Sequence, residues 1–303
     1  MNQLKKHIWL INTIRRYGKI SFKELSDLWE RDKEMSDYTP LQRGTFNRWR
    51  EDIRSKLGID IDCQKVGGYL YYITNPGDID DDKLKRWMID TFSVGNLIGE
   101  NLSIKNRILV EEIPSGQLYL TPIMEAMKEN KVIEITYNSF RTGNIHTSSV
   151  EPYCVKLFEG RWYLLAKPML KKKQRIYGLD RIQSLTILDD TFKLAKDFSA
   201  AEYFESMYGI VSENVKPQRI VLRAYSQHKH YIQSLPIHHS QRLITDNSEY
   251  ADFELYVAPT YDFIMRLLHD GAWLEVISPV SLRKAIKGWI GDMYDMYEND
   301  LKI

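Results

Sequence analysis

The sequence predicts a multidomain α+β protein, and three patterns in the chain lead to that prediction. Apolar residues recur at helical spacing through residues 4–57. Residues 132–189 contain several runs with the alternation and composition of β-strands. Residues 217–303 follow the order strand, helix, strand, strand, helix, strand, helix, which indicates an α+β sandwich. With 303 residues, the chain is long enough for two or three domains, each with its own core.

The composition is that of an ordinary globular protein, with 43% hydrophobic and 27% charged residues and a net charge of +1. This charge excludes a strongly basic chain. Cys63 and Cys154 are isolated, which argues against a disulfide framework or a zinc site and favours a reducing compartment. The sequence has neither a run long enough to span a membrane nor an apolar signal core. We therefore expect a cytoplasmic protein without a membrane partner.

Residues 1–75 predict a winged helix-turn-helix domain. A first amphipathic helix ends at Gly18, and Ser21 with Glu24 forms a capping box at the start of a second helix. A third helix is predicted from Thr45, and an alternating hairpin with Gly67 and Gly68 at its turn follows it. Three helices followed by a hairpin is the order of a winged helix, in which the third helix contacts DNA.

The third helix carries the charge expected of a DNA-reading element. Residues 41–57 contain five basic and two acidic residues, a local balance of +3. If Phe46, Trp49 and Ile53 face the core, the polar residues between them face away from it. Arginine and asparagine suit paired hydrogen bonds with guanine and adenine edges. The predicted DNA-binding residues are Arg43, Thr45, Asn47, Arg48 and Arg54. The alternative is an ordinary solvated basic face.

Residues 76–119 predict a helical linker, with helices over 83–94 and 97–109. Its first part is acidic, with Asp78, Asp80, Asp81 and Asp82 in one short run. Carboxylates near a helix N-terminus complement the helix dipole, so we interpret the run as a helix start rather than a divalent-ion site.

The middle of the chain contains two strands that indicate a binding pocket. Residues 161–167 are rich in aromatic and aliphatic side chains. Residues 175–180 form the second predicted strand, whose alternation places Arg175, Tyr177 and Arg181 on one face. Arginines bind phosphate bidentately and aromatic rings stack on bases, so such a face suits a nucleotide or a single-stranded oligonucleotide.

This region resembles the WYL domain, a small Sm/SH3-like β-barrel of bacterial transcription regulators. The resemblance covers about residues 120–205 and rests on four ordered pieces. These pieces are Ile133-Glu134-Ile135-Thr136-Tyr137, Val150-Glu151-Pro152-Tyr153, Trp162-Tyr163-Leu164 and Asp180-Arg181-Ile182. Upstream, Arg43, Thr45 and Arg48 also resemble the helix that precedes WYL domains.

The resemblance implies a WYL domain at 120–208 and a C-terminal extension domain at 216–303, with a linker that often takes part in dimer formation. The predicted ligand-binding residues are Tyr137, His146, Ser148, Arg175, Tyr177 and Arg181. Ser148 and Gly178 stand where the family tends to have basic residues, and His146 is a candidate substitute. The alternative for Arg181 is an ion pair with Asp180 or with a neighbouring carboxylate that only stabilises the strand.

These observations predict a homodimeric bacterial transcription regulator, expected to be a repressor, that binds double-stranded DNA and senses a nucleotide or nucleic-acid ligand. The alternative is an accessory protein that binds single-stranded nucleic acid and modulates a phage-defence nuclease. No Ser-His-Asp order or glycine-rich phosphate loop indicates an enzyme. The histidine pairs His228 with His230 and His238 with His239 lack a third ligand, so we expect neither metal nor cofactor.

Overall fold

The computed structural model describes residues 3–32, 36, 39–74, 76–100, 102–111, 114–212 and 215–298. The side chains of Asp78 and Asp80, part of the acidic run, lie outside this description. The chain divides into two compact units, Met1–Glu111 and Glu112–Ile303. The dividing point falls inside the stretch predicted as a linker, and the boundaries of the four predicted segments stay predictions. The multidomain α+β prediction is confirmed.

In its described residues, the first unit begins with three helices and a small antiparallel sheet. These elements are α1 (Gln3–Tyr17), β1 (Ile20–Ser21), α2 (Phe22–Arg31), α3 (Arg43–Leu57), β2 (Ile61–Gln64) and β3 (Leu70–Ile73). β3 lies in the centre of the sheet, between β1 and β2. This is the helix and hairpin order of a winged helix. Because Gln42 is the N-cap residue, α3 begins two residues earlier than the predicted start at Thr45.

Local sequence signals account for the ends of these elements. The Ser21 hydroxyl accepts the Glu24 N–H, and the Glu24 carboxylate accepts the Ser21 N–H at 2.9 Å, which forms the predicted capping box of α2. Gly58 ends α3 in the left-handed conformation. In the β2–β3 turn, Gly67 and Gly68 have φ values of 91° and 119°, which glycine adopts without strain.

The first unit continues into α4 (Pro76–Asp81) and α5 (Lys83–Glu100), followed by a 3₁₀ segment, Leu102–Arg107. The prediction of two helices, over 83–94 and 97–109, is therefore wrong in its division. Gly95 lies inside α5. Glycine lowers the stability of a helix by about 1 kcal/mol relative to alanine, but it does not interrupt the helix here. Packing holds the helix on α1, because Ile89 is buried and the Asn12 amide donates to the Ser93 hydroxyl at 2.5 Å.

The second unit opens with α6 (Leu120–Glu129) and a five-stranded antiparallel sheet. The strands are β4 (Lys131–Ser139), β5 (Asn144–Phe158), β6 (Arg161–Pro168), β7 (Arg175–Gly178) and β8 (Ile182–Thr191). Their order in the sheet is β7–β6–β5–β4–β8. Residues of α6 such as Ile123 pack on one face of this sheet, against Ile135 and Leu164.

The connection between the two edge strands requires this sheet to curl into a barrel-like shape. Five strands at a spacing of about 4.8 Å would place the edges of a flat sheet about 19 Å apart. β7 and β8 are joined only by the 3₁₀ turn Leu179–Arg181, which spans about 8 Å at ~2 Å per residue. In addition, the Gly178 N–H of β7 donates to the Tyr137 hydroxyl of β4 at 3.2 Å.

The remainder of the second unit contains a helix–sheet layer pair. Its elements are α7 (Ala200–Phe204), β9 (Gln218–Tyr225), α8 (His228–Ser234), β10 (Arg242–Asp246), β11 (Tyr250–Val257), α9 (Tyr261–His269), β12 (Leu274–Ser278) and α10 (Val280–Glu298). The sheet order is β10–β11–β9–β12. Ile232 of α8 and Phe263 of α9 pack against Leu222 and Phe253 of the sheet. This agrees with the predicted sandwich.

No helix in the described part of the chain combines the length and the apolar character that crossing a membrane requires.

Candidate nucleic-acid interface and ligand site

Aromatic packing fixes the rotation of α3 about its own axis. Phe46, Trp49 and Ile53 are buried, as their spacing predicts. The Phe46 ring packs edge-on against Tyr71 of the hairpin at 4.7 Å, and Trp49 packs against Trp29 of α2 at 5.1 Å. Contacts with two separate elements leave one orientation for the helix. The residues that lie between the buried positions must therefore face solvent.

The exposed side of α3 carries most of the predicted DNA-binding residues. Arg43, Asn47, Arg48 and Arg54 are exposed, and Thr45 is half-buried in the first turn. The Arg43 guanidinium lies 4.8 Å from the centre of the Phe22 ring, so the helix N-terminus is held beside α2. Four residues that suit hydrogen bonds with bases or phosphates therefore lie on one continuous helix surface.

The acidic residue Asp52 of α3 interacts with residues of α1 and with Lys56 of its own helix. Its carboxylate accepts a hydrogen bond from the Gln3 amide at 2.7 Å and pairs with Lys56 at 3.4 Å. The same carboxylate lies 3.6 Å from His7 Nε2, which is buried and makes no hydrogen bond. Burial lowers the pKa of His7 below its ordinary value, although Asp52 acts in the opposite direction.

Two arginines of α3 have partners within the first unit. Arg54 pairs with Asp60 at 3.0 Å, and both side chains are more than half exposed, so the pair contributes little to stability and can exchange. Arg50 is a different case. Its guanidinium donates twice to the Ile61 carbonyl, at 3.0 and 2.5 Å, and lies 5.2 Å from the Tyr71 ring centre. Arg50 therefore connects α3 to the hairpin.

The hairpin turn adds residues that sequence reasoning missed. Lys65, Val66 and Tyr69 are exposed there, beside the two glycines. A cation and an aromatic ring at the tip of a wing can contact a phosphate backbone or a groove. The signal in the sequence was the lysine two residues before Gly67, in a turn that had already been predicted.

In the second unit, the two tyrosines predicted to stack on a ligand belong to the core. Tyr137 and Tyr177 are 7% and 4% exposed, and their rings meet edge to face at 5.0 Å. Burial raises the pKa of Tyr177, while the nearby charge of Arg175 opposes that shift. Neither tyrosine presents a free ring face, so their predicted stacking role is wrong in this structure. The alternation of a strand indicates which residues share a face, but curling of the sheet turns the rings of Tyr137 and Tyr177 inward.

The other predicted ligand residues differ in their exposure. His146 is the register partner of Tyr137 on β5, and the two rings are 6.0 Å apart. His146 and Arg175 are exposed, and Ser148, opposite Ile135, is half-buried. His146 therefore lies at the surface beside the buried pair Tyr137 and Tyr177. A hydrophobic pattern in the sequence could not have indicated this contact.

Arg181 does not lie on a strand, contrary to the prediction that it shares one strand face with Arg175 and Tyr177. β7 ends at Gly178, and Arg181 is the last residue of the 3₁₀ turn Leu179–Arg181. Its guanidinium lies 4.4 Å from the centre of the Phe140 ring. Phe140 is 65% exposed at the β4–β5 turn, so an arginine and an aromatic ring share one accessible surface. Phe140 is a site residue that sequence reasoning missed.

Asp180 pairs with Arg161 rather than with Arg181, so the ion pair between Asp180 and Arg181 is not formed in this structure. Asp180 Oδ2 accepts from Arg161 at 2.9 Å, and the Asp180 side chain is 7% exposed. Its other oxygen, Oδ1, and Arg181 Nε are both buried and have no hydrogen-bond partner. The adjacent residues Asp180 and Arg181 therefore contribute one acceptor and one donor without hydrogen-bond partners. Buried polar atoms rarely lack a partner.

The absence of a side chain at Gly178 is what leaves room for these two atoms. A Cβ at residue 178 would lie 2.7 Å from Asp180 Oδ1 and 3.4 Å from Arg181 Nε. A basic side chain, which the family tends to have here, would displace Asp180. Glycine at position 178, where the family tends to have a basic residue, therefore accompanies the 3₁₀ turn formed by the next three residues, Leu179–Arg181.

A separate cleft of about 510 Å³ lies away from these residues, between the β5–β6 turn and α9. Its charged residues are engaged, since Asp262 accepts the N–H groups of Ile210 and Val211 at 2.7 and 2.9 Å. Arg266 pairs with Asp270 at 2.5 Å. Among the described residues, no group of three or more His, Cys, Asp or Glu side chains could hold a metal ion.

Comparisons with known proteins agree with the geometry of the middle domain. A family model for the WYL domain matches residues 119–187. No curated protein matches the chain.

Two solved structures are similar to the chain as a whole. Proteasome accessory factor B/C (PafBC) of Arthrobacter aurescens is 16% identical with a TM-score of 0.39, over 99% of this chain and 48% of that chain. A CRISPR Cas-related protein is 11% identical with a TM-score of 0.37, over 92% of this chain and 84% of that chain. The chain spans about half the length of the PafBC chain. Both similarities are too distant to carry a functional argument. The family match shows that the chain contains a WYL domain, at residues 119–187.

Proposed function

We propose that this WYL-domain protein is a DNA-binding transcription regulator. Its first unit binds double-stranded DNA through α3, and its WYL domain binds a nucleotide or a single-stranded nucleic acid. The observation that carries the proposal is the exposed surface of α3, where Arg43, Asn47 and Arg48 lie together while the helix is fixed by aromatic packing. Side chains of this kind on the N-terminal half of a recognition helix reach base edges in the major groove.

The ligand part of the proposal rests on Arg181, Phe140 and the unsatisfied Asp180 oxygen. Arg181 offers a charged donor and Phe140 an exposed ring, and this combination binds single strands through phosphate contact and stacking. Asp180 Oδ1 accepts hydrogen bonds and so suits an amino or hydroxyl group of the same ligand.

Regulation requires that the ligand favour one arrangement of the DNA-binding units over another. In a homodimer, the separation of two α3 helices decides whether both half-sites are bound at once. We propose that the regulator is a cytoplasmic homodimer and that it represses, with the ligand acting on that separation. Repression itself is tested by reporter transcription with and without the protein.

The duplex-binding part is tested with Arg48→Ala. DNA is first selected from a random duplex library by the intact protein, and affinity for the selected duplex is then measured by fluorescence anisotropy. Loss of a base contact costs about 1–3 kcal/mol, so we expect affinity to fall by about 5- to 150-fold. Arg86→Ala is the matched control, because Arg86 is an exposed arginine of α5 outside the α3 surface.

Equal affinity of the two variants would remove α3 from the proposal. Failure of the intact protein to select any duplex, together with binding of single strands, would favour the accessory role in phage defence. The observation that speaks for this second function is the accessible Arg181–Phe140 surface, which does not depend on the first unit.

A further inference from the structure

The second unit contains a cleft that the regulatory proposal does not use. The cleft lies between the β5–β6 turn and α9 and has a volume of about 510 Å³. Sites for small molecules typically measure about 300–1,000 Å³. The β5–β6 turn belongs to the WYL domain, whereas α9 lies outside residues 119–187. A molecule bound in this cleft would therefore contact two parts of the second unit at once.

Three aromatic side chains line the cleft. The rings of Phe158 and Tyr208 meet at 88°, with their centres 5.5 Å apart, so they form a corner. Tyr261, which is 48% exposed, lines the cleft from the first turn of α9, and Met265 follows one turn later on the same side of that helix. Aromatic rings attract a cation that lies over their faces, because the ring face carries a negative potential. The lining therefore suits an apolar molecule that carries a positive charge.

Glu159 adds a carboxylate at the edge of the cleft. Its side chain is exposed, and the Tyr208 hydroxyl donates to it at 3.5 Å. In the part of the chain that the structure describes, no cation pairs with Glu159, and Arg161, two residues away, pairs with Asp180 instead. Burial raises the pKa of Tyr208, and the negative charge of Glu159 adds to that shift. The edge of the cleft therefore carries a negative charge with which a bound cation can pair.

The backbone at Glu159 favours a different residue type. Glu159 and Gly160 form the β5–β6 turn, with φ values of 47° and 75°. Two successive positive φ values are those of a type I′ hairpin turn, in which asparagine, aspartate and glycine are preferred. A glutamate there has a sparsely populated conformation, and such residues concentrate at functional sites. This supports a role for the Glu159 carboxylate beyond closing the hairpin.

Two further charged residues of the cleft are already compensated. The Asp262 carboxylate accepts three backbone N–H groups. A Cβ at Gly209 would clash with this carboxylate, so the glycine is what allows its close approach. Arg266 pairs with Asp270, whose side chain is 5% exposed. The charge that is left to attract a ligand is therefore that of Glu159.

We propose that this cleft binds an organic cation with an alkylated ammonium group. The ammonium lies in the corner of Phe158 and Tyr208 and pairs with the Glu159 carboxylate. Tyr261 and Met265 contact the rest of the molecule. Alkylation matters because a primary ammonium is strongly hydrated and has three N–H donors that need acceptors. A fully alkylated ammonium has no N–H donor, so ring faces replace its water without leaving a hydrogen bond unmade.

A nucleotide fits this cleft less well than a cation does. Glu159 repels phosphate, and the guanidinium of Arg266 is already paired with Asp270. The Arg181 turn has the opposite character, because it presents a guanidinium beside the exposed ring of Phe140. The two sites therefore select ligands of opposite charge, and the cation site does not depend on the proposed function.

The first test is a titration of the full chain with choline, followed by proton NMR of the ligand. Aromatic ring currents move the N-methyl resonance upfield when the molecule lies over ring faces. We expect an upfield shift that saturates with a dissociation constant of about 1 mM, because choline fills only part of the cleft. Dimethylbutanol has the shape of choline with carbon in place of the charged nitrogen. It should bind at least about tenfold more weakly.

Two substitutions separate the contribution of the charge from that of the ring. Glu159→Gln removes the charge and keeps the shape, and it should weaken choline binding about fivefold. Tyr261→Leu keeps an apolar side chain without a ring, and it should weaken binding about two- to fivefold. The matched controls are Glu125→Gln on α6 and Tyr231→Leu on α8, which replace exposed residues outside the cleft and should leave the affinity unchanged. Far-UV circular dichroism verifies that all four variants are folded.

An alkylated ammonium can belong to a free metabolite, a methylated lysine or a lipid headgroup, and three probes distinguish these sources. The probes are choline, a short peptide that contains trimethyllysine, and vesicles of phosphatidylcholine. The source is the probe that binds with the highest affinity and whose binding is weakened by Glu159→Gln but not by Glu125→Gln.

Equal binding of choline and dimethylbutanol would overturn the proposal, because the cleft would then be an apolar pocket only. Tighter binding of adenosine monophosphate than of choline would also overturn it, as would the failure of all three cationic probes to bind. An equal effect of Glu159→Gln and Glu125→Gln would exclude the cleft as the site. None of these measurements contains DNA. A negative result therefore leaves the proposed function standing, and failure of DNA binding leaves the cation site standing.

Discussion

Arg48 and Arg50 lie two residues apart on α3 and have different roles. Arg48 is exposed, whereas Arg50 donates to the Ile61 carbonyl and packs over Tyr71. The sequence predicts the facing of Arg48, because helical periodicity relative to Phe46 and Trp49 determines it. It could not predict the role of Arg50, because its acceptor lies on a hairpin strand whose position depends on tertiary packing.

At the ligand site, single residues also decide what the sequence could reveal. The predicted importance of Arg181 came from an assumed strand, but Arg181 lies in a turn and contacts Phe140. The partner of Asp180 is Arg161, nineteen residues away, a distant contact that no local pattern encodes. Gly178 offered a signal, since a glycine within an alternating strand often marks a close approach.

Arg181→Ala removes the charged donor beside Phe140, and a hydrogen bond to a charged group contributes about 1.5–3 kcal/mol. We expect the affinity of the full chain for a labelled single-stranded DNA of about ten nucleotides to fall by about 10- to 150-fold. The measurement is anisotropy at several salt concentrations.

The matched control is Lys172→Ala, which removes one positive charge from the exposed basic loop between β6 and β7. An equal loss in both variants would mean that binding depends on charge alone, and no loss in Arg181→Ala would exclude the turn as the ligand site.

At the scale of elements, sequence periodicity predicts which side chains are exposed where an element has one buried face, but it does not do so where the sheet curls. The buried stripe of α3 and the capping box of α2 follow from local sequence. The inward facing of Tyr137 and Tyr177 depends on the short β7–β8 connection, which brings the sheet edges together. Alternation shows which residues share a face but cannot show whether that face is open.

The packing of α1 on α3 predicts a pH dependence of stability. His7 of α1 is buried, 3.6 Å from Asp52 and 6.5 Å from the Trp49 ring, and burial lowers its pKa below 6.5. Below pH 6.5, His7 is therefore protonated more readily in the unfolded chain than in the folded unit. We expect the stability of the first unit to be full above about pH 6.5 and to decrease as the pH falls towards the lower folded pKa.

Amide hydrogen exchange of α1 and α3 in the full chain measures this stability. His7→Leu should reduce its dependence on pH between 7.5 and 5.5, whereas the exposed His230→Leu in the second unit should not. An identical pH dependence in wild type and His7→Leu would show that His7 is not the responsible group.

At the scale of the whole molecule, two compact units separate the proposed tasks. The first unit contains the α3 surface, and the second contains both the WYL domain and the cleft beside α9. A homodimer, as proposed above, would present two α3 helices from one assembly, which palindromic sites require. Composition alone gave no hint of this, because a net charge of +1 conceals the local basic surface of α3.

The central claim is that α3 reads the sequence of duplex DNA, and the most direct measurement compares the sites selected by two proteins. Wild type and Arg48→Ala each select from the same random duplex library, with Arg86→Ala as the control. We predict that Arg48→Ala loses base preference at one position of each half-site and keeps the others, because a base contact specifies one base pair. Identical preferences for wild type and Arg48→Ala would contradict the claim.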